Sequence, residues 1–463
     1  MPSSTGEKWA ASTAGAPSRG ELAVVGAGLA GCEAAWQAAQ RGLDVVLYEM
    51  KPARFSPAHS SPDFAELVCS NSLRSNAPAN AVGLLKEEMR RLGSLVMTIA
   101  DQTAVPAGRA LAVDRSAFAR GITEAVESHP RIRVRHEVVT KIPEQPRVVL
   151  ATGPLTAPEL AGSLAELLGD EYLYFYDALS PIVYADSIDH SVAFRASRYE
   201  DGEGDYLNLP LDEAGYQSFV EALLSSETVP LHPFEADLYF EGCLPIEEMA
   251  RRGRQTLAYG PMKPVGLVDP HTGRRPHAVV QLRHEDKRGV LYNLVGFQTK
   301  LRIGDQKRVL RSLPGLSDAA FARFGSVHRN TYINAPRRLT PTLEVKARPG
   351  LYIAGQMAGV EGYVESAALG LVAGVNAAFA VQGQPPPQPP PSTAHGALLQ
   401  HLMAADPRDF QPMNVNYGLF PPLEASAAPR RRKQSKRERH EQLAQRALAE
   451  LAVYAEQSGA ATR

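Results

Sequence analysis

The sequence predicts an α/β protein: a discontinuous Rossmann-type domain with an inserted α+β domain. Three stretches carry this prediction. Residues 22–40 form an apolar strand, a glycine-rich turn and a helix, an apolar strand at 147–150 runs into Ala-Thr-Gly, and a late strand at 351–354 precedes a helix of small residues at 364–380. Strands that alternate with helices are typical of a parallel sheet. The first and last stretches therefore belong to one domain, and the aromatic-rich and proline-rich middle is an insertion.

The opening unit contains a G-x-G-x-x-G motif at Gly26, Gly28 and Gly31. A strand precedes the motif, a helix follows it, and a second strand ends at Glu49, 18 residues after Gly31. In this arrangement the helix N-terminus binds a pyrophosphate, and an acid roughly 20 residues past the last glycine accepts a hydrogen bond from a ribose hydroxyl. The motif alone also occurs in plain glycine-rich turns, but the whole unit predicts an adenine-dinucleotide site. The predicted binding residues are Gly26, Ala27, Gly28, Leu29, Ala30, Gly31 and Glu49.

The late segment distinguishes FAD from NAD, which share this motif. A strand, a glycine-rich turn and a helix that return to the sheet place a helix N-terminus under the flavin ring in two-dinucleotide-fold flavoproteins, so FAD is predicted. The residues expected to approach the flavin are Gly355, Gln356, Gly359, Gly362 and Tyr363. Tyr363 could alternatively be a core aromatic that caps the last helix. Gly370 and Gly374 stand where close packing against a cofactor or strand is expected.

The predicted organisation has five parts. Residues 1–20 form a disordered tail, 21–174 the first part of the FAD-binding domain, and 175–340 the inserted substrate domain. Residues 341–384 close the FAD-binding domain, and 385–463 contain a proline-rich linker and a basic helical segment.

The composition excludes several classes of protein. A net charge of −1 and a pI near 6.9 do not indicate a general nucleic-acid coat, so a polyanionic partner would have to meet a local basic patch. Three cysteines in 463 residues do not make a disulfide framework and fit a reducing cytoplasm. We expect no secretory signal, no membrane span and no metal site, and therefore a cytoplasmic protein.

The three cysteines differ in their surroundings. Cys243 follows a glycine in FEGCLPIEEM, close to Glu241 and Glu247, and Cys69 lies in an asparagine-rich polar loop. A buried structural role is the usual default for a cysteine, but neither of these surroundings is apolar enough for it. Cys32 lies inside the first helix and is predicted to be structural.

Long motifs resemble those of the folate- and FAD-dependent tRNA (uracil-C5) methyltransferases, the TrmFO family. The resemblance runs from about residue 21 to residue 423 and rests on FAELVCSNSLRSNAPANAVGLLKEEMRRLGSLVM, FEGCLPIEEMARRG, GPMKPVGL, AVVQLR, YNLVGFQT, HRNTYINAP, AGQMAGVEGYVESAALGLVAG and FQPMNVNYGLFPPL. One departure is Leu209, since family members often have a cysteine in the corresponding YLNCP motif. That thiol is therefore expected to be dispensable.

The resemblance implies methylation at C5 of uridine 54 in the T-loop of tRNA. It implies 5,10-methylenetetrahydrofolate as carbon donor and NAD(P)H as reductant. Uracil C5 becomes nucleophilic once a thiolate adds at C6, and the resemblance implies that Cys243 is this nucleophile. Cys69 would be the second functional cysteine near the flavin, either as the base for the C5 proton or as a modulator of the flavin adduct, and the two roles could be exchanged. Monomer and dimer remain open.

Two other functions fit parts of the sequence. One is wobble-uridine modification by the related flavoprotein family, which shares the glycine motif. The other is a flavin-stabilised RNA-binding protein in which the cysteines are incidental.

Basic residues of the insertion and beyond are candidates for contact with tRNA phosphates, although at least half are expected to be solvated loop charges. The candidates are Arg251, Arg252, Arg254, Arg274, Arg275, Arg283, Lys287, Arg288, Lys300, Arg302, Arg337 and Arg338. The run at 430–439 could add affinity or simply begin a solvated helix.

Overall fold

A computed structural model describes residues 21–169, 173–198, 204–230, 239, 244–423 and 435–460. Its strands are β1 (Glu21–Val25), β2 (Asp44–Glu49), β3 (Ser72–Ser75), β4 (Ala104–Val105), β5 (Ala110–Val113), β6 (Ile132–His136), β7 (Val148–Leu150), β8 (Leu173–Ala178), β9 (Ile182–Tyr184), β10 (Phe194–Arg195), β11 (Leu207–Leu211), β12 (Ala278–His284), β13 (Leu291–Leu294), β14 (Phe321–Arg323), β15 (Val327–Tyr332) and β16 (Leu351–Ile353). Its α-helices are α1 (Leu29–Gln40), α2 (Ala81–Arg91), α3 (Leu95–Gln102), α4 (Arg115–Glu127), α5 (Pro158–Leu168), α6 (Glu213–Leu224), α7 (Ile246–Arg251), α8 (Thr256–Tyr259), α9 (Ile303–Leu310), α10 (Ala335–Arg338), α11 (Tyr363–Val381), α12 (Ala394–Ala404) and α13 (Lys436–Gln457). The predicted tail at 1–20 lies outside the described residues.

A five-stranded parallel sheet with the order β16-β7-β1-β2-β6 organises the main domain. Val25 at the end of β1 lies opposite Tyr48 of β2 and Leu150 of β7, and Ile353 of β16 lies opposite Leu150. The chain moves outward from β1 in both directions, and the carboxyl ends of these strands share one edge. Open α/β sheets bind ligands at such a switch point. The late strand joins the first ones, so the predicted discontinuous sheet is confirmed.

Helices α1 and α11 pack directly against each other beside this sheet. A Cβ on Gly370 would lie 2.2 Å from the carbonyl oxygen of Ala30, and a Cβ on Gly374 would lie 2.4 Å from that of Ala34. The expectation that these glycines permit close packing is right, but the partner was wrong: it is helix α1 rather than a cofactor or a strand. Glycine is required because two helix backbones approach each other without room for a side chain.

Helix α11 is also the one helix among the described residues that is long and apolar enough to cross a membrane. Of its most apolar window, 78% is buried inside the protein. A helix that is apolar on all sides is expected where neighbours surround it, so core packing accounts for its composition.

The insertion has a sheet and a core of its own. Six strands pair antiparallel in the order β10-β11-β12-β13-β9-β14. Tyr216 and Phe219 of α6 and Phe297 are buried beside this sheet, with Leu209 of β11. Leu209 is fully buried, so this position contributes to the core of the insertion.

The C-terminal helices pack against α2 of the main domain. The carboxylate of Glu88 accepts hydrogen bonds from the backbone N–H groups of Ala394 (2.7 Å) and His395 (3.1 Å), and lies 2.7 Å from Nδ1 of His395. Leu451 and Tyr454 of α13 are buried in the main core. The end of the chain therefore covers the main domain, with the proline-rich linker at 384–391 before it.

The contact between α1 and α11 predicts opposite effects for two glycine-to-alanine changes. Gly370→Ala should lower the free energy of unfolding by about 1–3 kcal/mol, because overpacking forces the helices apart. Gly162→Ala in α5, where a Cβ meets nothing within 4 Å, should raise it by about 0.5–1 kcal/mol through helix propensity. Urea unfolding measures both changes, and equal effects would contradict the packing argument.

Candidate active site

The glycine turn between β1 and α1 opens a cleft at the carboxyl edge of the parallel sheet. Gly28 precedes α1, and a Cβ placed on it would meet nothing within 4 Å. A Cβ on Gly31 would lie 1.7 Å from the carbonyl oxygen of Gly26, so any side chain there would break the turn. The N-terminal N–H groups of α1 and its positive dipole end therefore lie beside the cleft, where an anion is stabilised.

Glu49 ends β2 next to this turn. Its buried carboxylate accepts hydrogen bonds from the backbone N–H groups of Ala27 (2.8 Å) and Lys51 (2.9 Å). Each carboxylate oxygen has a second lone pair, so Glu49 can also accept from a ribose hydroxyl. Its hydrogen bonds orient it and hold the glycine turn.

The cleft has an empty volume of about 1190 Å³, which includes its open mouth. It is lined by nine of the twelve predicted cofactor residues: Gly26, Ala27, Gly28, Leu29, Ala30, Glu49, Gly355, Gln356 and Tyr363. Lining residues that sequence reasoning missed include Met50, Lys51, Ser56, His59, Val68, Val139, Thr152, Pro154, Thr156 and Ser366. Val68, Thr152 and Ser366 lie within stretches already singled out in the sequence, but only the fold shows that these residues line one cleft.

Three predicted cofactor residues do not line the cleft. Gly31 packs beneath the turn, as described above. A Cβ on Gly359 would lie 2.3 Å from the ring of Phe410, so this glycine makes room for a core aromatic. Gly362 lies beside Glu365, whose carboxylate a Cβ would approach to 2.4 Å. All three shape the backbone around the cleft rather than line it.

Tyr363, the first residue of α11, joins the cleft to the Cys69 loop. Its hydroxyl oxygen accepts hydrogen bonds from the backbone N–H groups of Cys69 (2.7 Å) and Ser70 (3.3 Å). Burial raises the pKa of Tyr363 well above its usual range, and the neighbouring Cys69 adds to this shift. The phenol therefore stays protonated near neutral pH. Cys69 is partly exposed, so the structure brings two predicted site residues together at the cleft.

Two arginines hold the residues that precede Cys69. A guanidinium N–H of Arg115 donates to the carbonyl oxygen of Leu67, and Nη1 of Arg323 donates to that of Val68 (2.7 Å). Glu285 pairs with Arg115 at 2.8 Å. Both arginines also interact electrostatically with Cys69.

A third arginine, Arg283 of β12, holds the residues that follow Cys69. It donates to Oγ of Ser70 (2.8 Å) and to Oδ1 of Asn71 (3.0 Å). The amide of Asn71 donates in turn to the carbonyl oxygens of Val113 and His284. Arg283 was predicted as a candidate contact for tRNA, and this was wrong, because it is buried and binds the Cys69 loop. Its place in the apolar run AVVQLR was the available signal, because a charged residue there must be partnered.

Lys300 is a second correction among the predicted tRNA contacts. It is buried, and its ammonium group donates to the hydroxyl of Tyr239 (2.5 Å) and lies 2.9 Å from Glu248. Glu247, the residue before Glu248, accepts hydrogen bonds from the backbone N–H of Lys300 (2.7 Å) and from the hydroxyl of Thr299 (2.9 Å). Burial raises the pKa of the Glu247 carboxyl.

Tyr239 and Glu248 flank Cys243, which lies outside the described residues together with Glu241. Lys300 therefore joins the chain on both sides of Cys243.

Cys32 is buried, its thiol donates to the carbonyl oxygen of Ala27 (3.3 Å), and burial raises its pKa. These contacts agree with the structural role predicted for Cys32.

The other predicted basic contacts are mostly exposed. Arg251, Arg254 and Arg302 pair with Glu248, Glu221 and Glu227 respectively. Arg338 is half-buried, and the remaining candidates are exposed: Arg252, Arg274, Arg275, Lys287, Arg288 and Arg337. Residues 430–434 of the C-terminal run lie outside the described residues, and 435–439 are exposed.

Comparison with known proteins identifies the family. Residues 21–385 match the family described as "Glucose inhibited division protein A". A relative from Desulforudis audaxviator is 58% identical over 440 residues, which make up 95% of this chain and 99% of the relative, and carries the name methylenetetrahydrofolate--tRNA-(uracil-5-)-methyltransferase TrmFO. The chain belongs to the TrmFO family. A TrmFO from Geobacter sulfurreducens is 58% identical over 433 residues, 93% of this chain and 98% of that protein.

Solved structures confirm the fold class. Aquifex aeolicus GidA has a TM-score of 0.67 at 17% identity, over 95% of this chain and 74% of that chain. The predicted family resemblance and the predicted FAD-binding Rossmann-type fold are thus both confirmed.

The cleft of this TrmFO chain fits FAD. The open space at Gly28 and the N-terminus of α1 suit a pyrophosphate, and Glu49 suits a ribose hydroxyl. Gly355, Gln356 and Tyr363 line the same cleft near the N-terminus of α11. The two helix N-termini and the mainly apolar lining match the polar and apolar halves of a flavin dinucleotide.

The open space at Gly28 predicts that a larger side chain at this position gives a folded variant that does not bind flavin. Gly28→Val should purify colourless, because the valine side chain would enter the space for the pyrophosphate, and no protein atom is displaced. Far-UV circular dichroism should match the wild type, while Gly31→Val should fail to fold. A yellow Gly28→Val protein would contradict the placement of the pyrophosphate.

The double hydrogen bond at Tyr363 predicts a loss of stability when its hydroxyl is removed. Tyr363→Phe should lower the free energy of unfolding by about 1–3 kcal/mol, because two backbone N–H groups lose their acceptor. Tyr184→Phe, at a partly exposed tyrosine, is the matched control and should change it by less than about 0.5 kcal/mol. Similar effects of both changes in urea unfolding would contradict the role of the Tyr363 hydroxyl.

Proposed function

We propose that this chain methylates C5 of uridine 54 in the T-loop of tRNA, in the cytoplasm. The carbon comes from 5,10-methylenetetrahydrofolate and the electrons from NAD(P)H through FAD. The observation that carries the proposal is 58% identity over 95% of the chain to a relative of that name. The position of Cys69 beside the flavin cleft supports it.

The overall reaction is balanced by one two-electron reductant. The methylene carbon is one oxidation level above a methyl group, so 5,10-methylenetetrahydrofolate, uridine, NAD(P)H and a proton give tetrahydrofolate, 5-methyluridine and NAD(P)⁺. FAD, when bound, supplies the two-electron chemistry between the nicotinamide and the one-carbon unit. The protein must bind the uracil, activate C5 and remove one proton from it.

We assign activation of C5 to Cys243, as the family resemblance implies. Its thiolate adds to C6, a sulfur–carbon bond forms, and the electron pair of the C5–C6 double bond moves to C5, which attacks the one-carbon unit. The electron pair of the broken C5–H bond then expels the carrier nitrogen from the methylene carbon. Two electrons and a proton, supplied by NAD(P)H, convert that carbon to a methyl group, and the Cys243 thiolate leaves C6 as the C5–C6 double bond re-forms. The enzyme thus recovers its cysteine in each turnover.

We assign the C5 proton to Cys69 or a group beside it. Tyr363 and the three arginines hold the Cys69 loop beside the cleft, and a cysteine thiolate can accept a proton. Exchange of roles between the two cysteines is the alternative, and the next experiments separate them.

The activity test uses purified holoenzyme and an unmodified tRNA transcript. With isotopically labelled 5,10-methylenetetrahydrofolate and NADPH or NADH, mass analysis of T-loop fragments should show one labelled methyl group on uridine 54. Label at the wobble uridine would instead support the related wobble-modifying function, and unlabelled tRNA would refute both.

Covalent trapping identifies the nucleophile. A tRNA with 5-fluorouracil at the target position should form a stable adduct with the wild type, because the fluorine that replaces the C5 proton cannot be removed by a base. Cys243→Ala should form no adduct. Cys32→Ala is the matched control and should still be trapped, because that thiol is buried. Adduct formation by Cys243→Ala but not by Cys69→Ala would move the nucleophile to Cys69.

A further inference from the structure

One surface segment differs from the rest of the chain in charge. Residues 251–275 contain six lysines and arginines and one acid, whereas the whole chain has a net charge of −1. The acid, Asp269, is buried and accepts hydrogen bonds within its own turn from His271 (2.9 Å) and Thr272 (3.0 Å). The exposed charge of this segment is therefore almost entirely positive.

The same segment exposes apolar side chains. Tyr259 is 84% exposed, Val268 is 61% exposed and Val265 is 38% exposed. A tyrosine with so little of its ring covered gains nothing from the fold, since the hydrophobic contribution of a side chain follows the area that it buries. An aromatic ring among cations suits stacking on a nucleic-acid base beside its phosphates.

Contacts inside the insertion connect both ends of this segment to one buried tyrosine. The hydroxyl of Tyr216 donates to the carbonyl oxygen of Arg254 (2.8 Å) and accepts from the backbone N–H of Ala258 (3.2 Å), and its ring lies 5.1 Å from that of His277. Tyr259 follows Ala258, and Arg275 is two residues before His277. Tyr216 thus contacts the backbone just before Tyr259 and the side chain of His277 just after Arg274 and Arg275.

The segment also adjoins the proposed nucleophile. Helix α7 begins three residues after Cys243, and the backbone N–H of Ile246 donates to the carbonyl oxygen of Gln298 (2.7 Å). The basic segment begins at the end of this helix, so it follows the Cys243 motif directly along the chain.

We propose that residues 251–275 form a docking surface for tRNA. Tyr259 stacks on an unpaired base, and Arg274 and Arg275 bind phosphates beside it. The inference rests on the proposed function for the identity of the RNA. An apolar protein partner or a second copy of the chain would not need the excess of positive charge, so RNA is the occupant that fits both features.

The experiment measures binding of a labelled tRNA transcript to holoenzyme over a series of salt concentrations. Tyr259→Ala should weaken binding roughly 5- to 100-fold, the usual effect of losing one stacked base, and Tyr259→Phe should restore most of it. Arg274→Ala combined with Arg275→Ala should weaken binding and make the dependence of log K on log salt shallower by about one unit per residue. Arg131→Ala combined with Arg133→Ala, two exposed arginines of the main domain, is the matched charge control and should bind as the wild type does.

The outcomes separate the two proposals. Flavin content and NADPH oxidation without tRNA should be unchanged in all variants, which excludes a folding defect. Wild-type methylation with tRNA affinity unchanged in the Tyr259 and Arg274/Arg275 variants would overturn this inference and leave the proposed function standing. Loss of dimers with unchanged tRNA affinity would also overturn it, and would assign the patch to contact between copies. A wild type that neither binds nor methylates tRNA would refute the proposed function itself.

Discussion

The hydrogen bonds that Tyr363 accepts from Cys69 and Ser70 join the start of the chain to its late helix. Around them, Arg115 holds the same loop from α4, and Arg283 and Arg323 hold it from the insertion. Groups from three parts of the chain therefore hold the Cys69 loop. This arrangement requires the main domain, its closing segment and the insertion to be folded together.

Burying a guanidinium group is unfavourable unless it finds hydrogen-bond partners. Arg283 is buried, and Arg115 and Arg323 are half-buried. They donate mainly to backbone carbonyls and side chains of one polar loop, and Glu285 offsets the charge of Arg115. The arrangement stabilises a loop that has little apolar surface of its own. Arg115 and Arg323 also interact electrostatically with Cys69 itself.

The glycine turn, Glu49 and the late return of strand and helix could be predicted because each is a local pattern with a known geometric need. The structure confirms the discontinuous sheet and brings nine of the predicted cofactor residues to one cleft. The basic residues were harder to interpret. Arg283 and Lys300 look like solvent charges by type, but their partners lie far away in sequence, at Asn71 and Tyr239.

The sequence by itself determined the fold class, the family and the identity of the dinucleotide site, because glycine spacing and strand-helix alternation are short-range properties of a chain. The tertiary structure alone decided that Gly370 and Gly374 make room for α1. It also decided that Gly31, Gly359 and Gly362 support the cleft rather than line it. Finally, it decided that three arginines and Tyr363 hold the Cys69 loop. Each of these depends on contacts between residues separated by tens or hundreds of positions. Such contacts follow from how sheet, helices and insertion pack, and a local pattern carries no information about them.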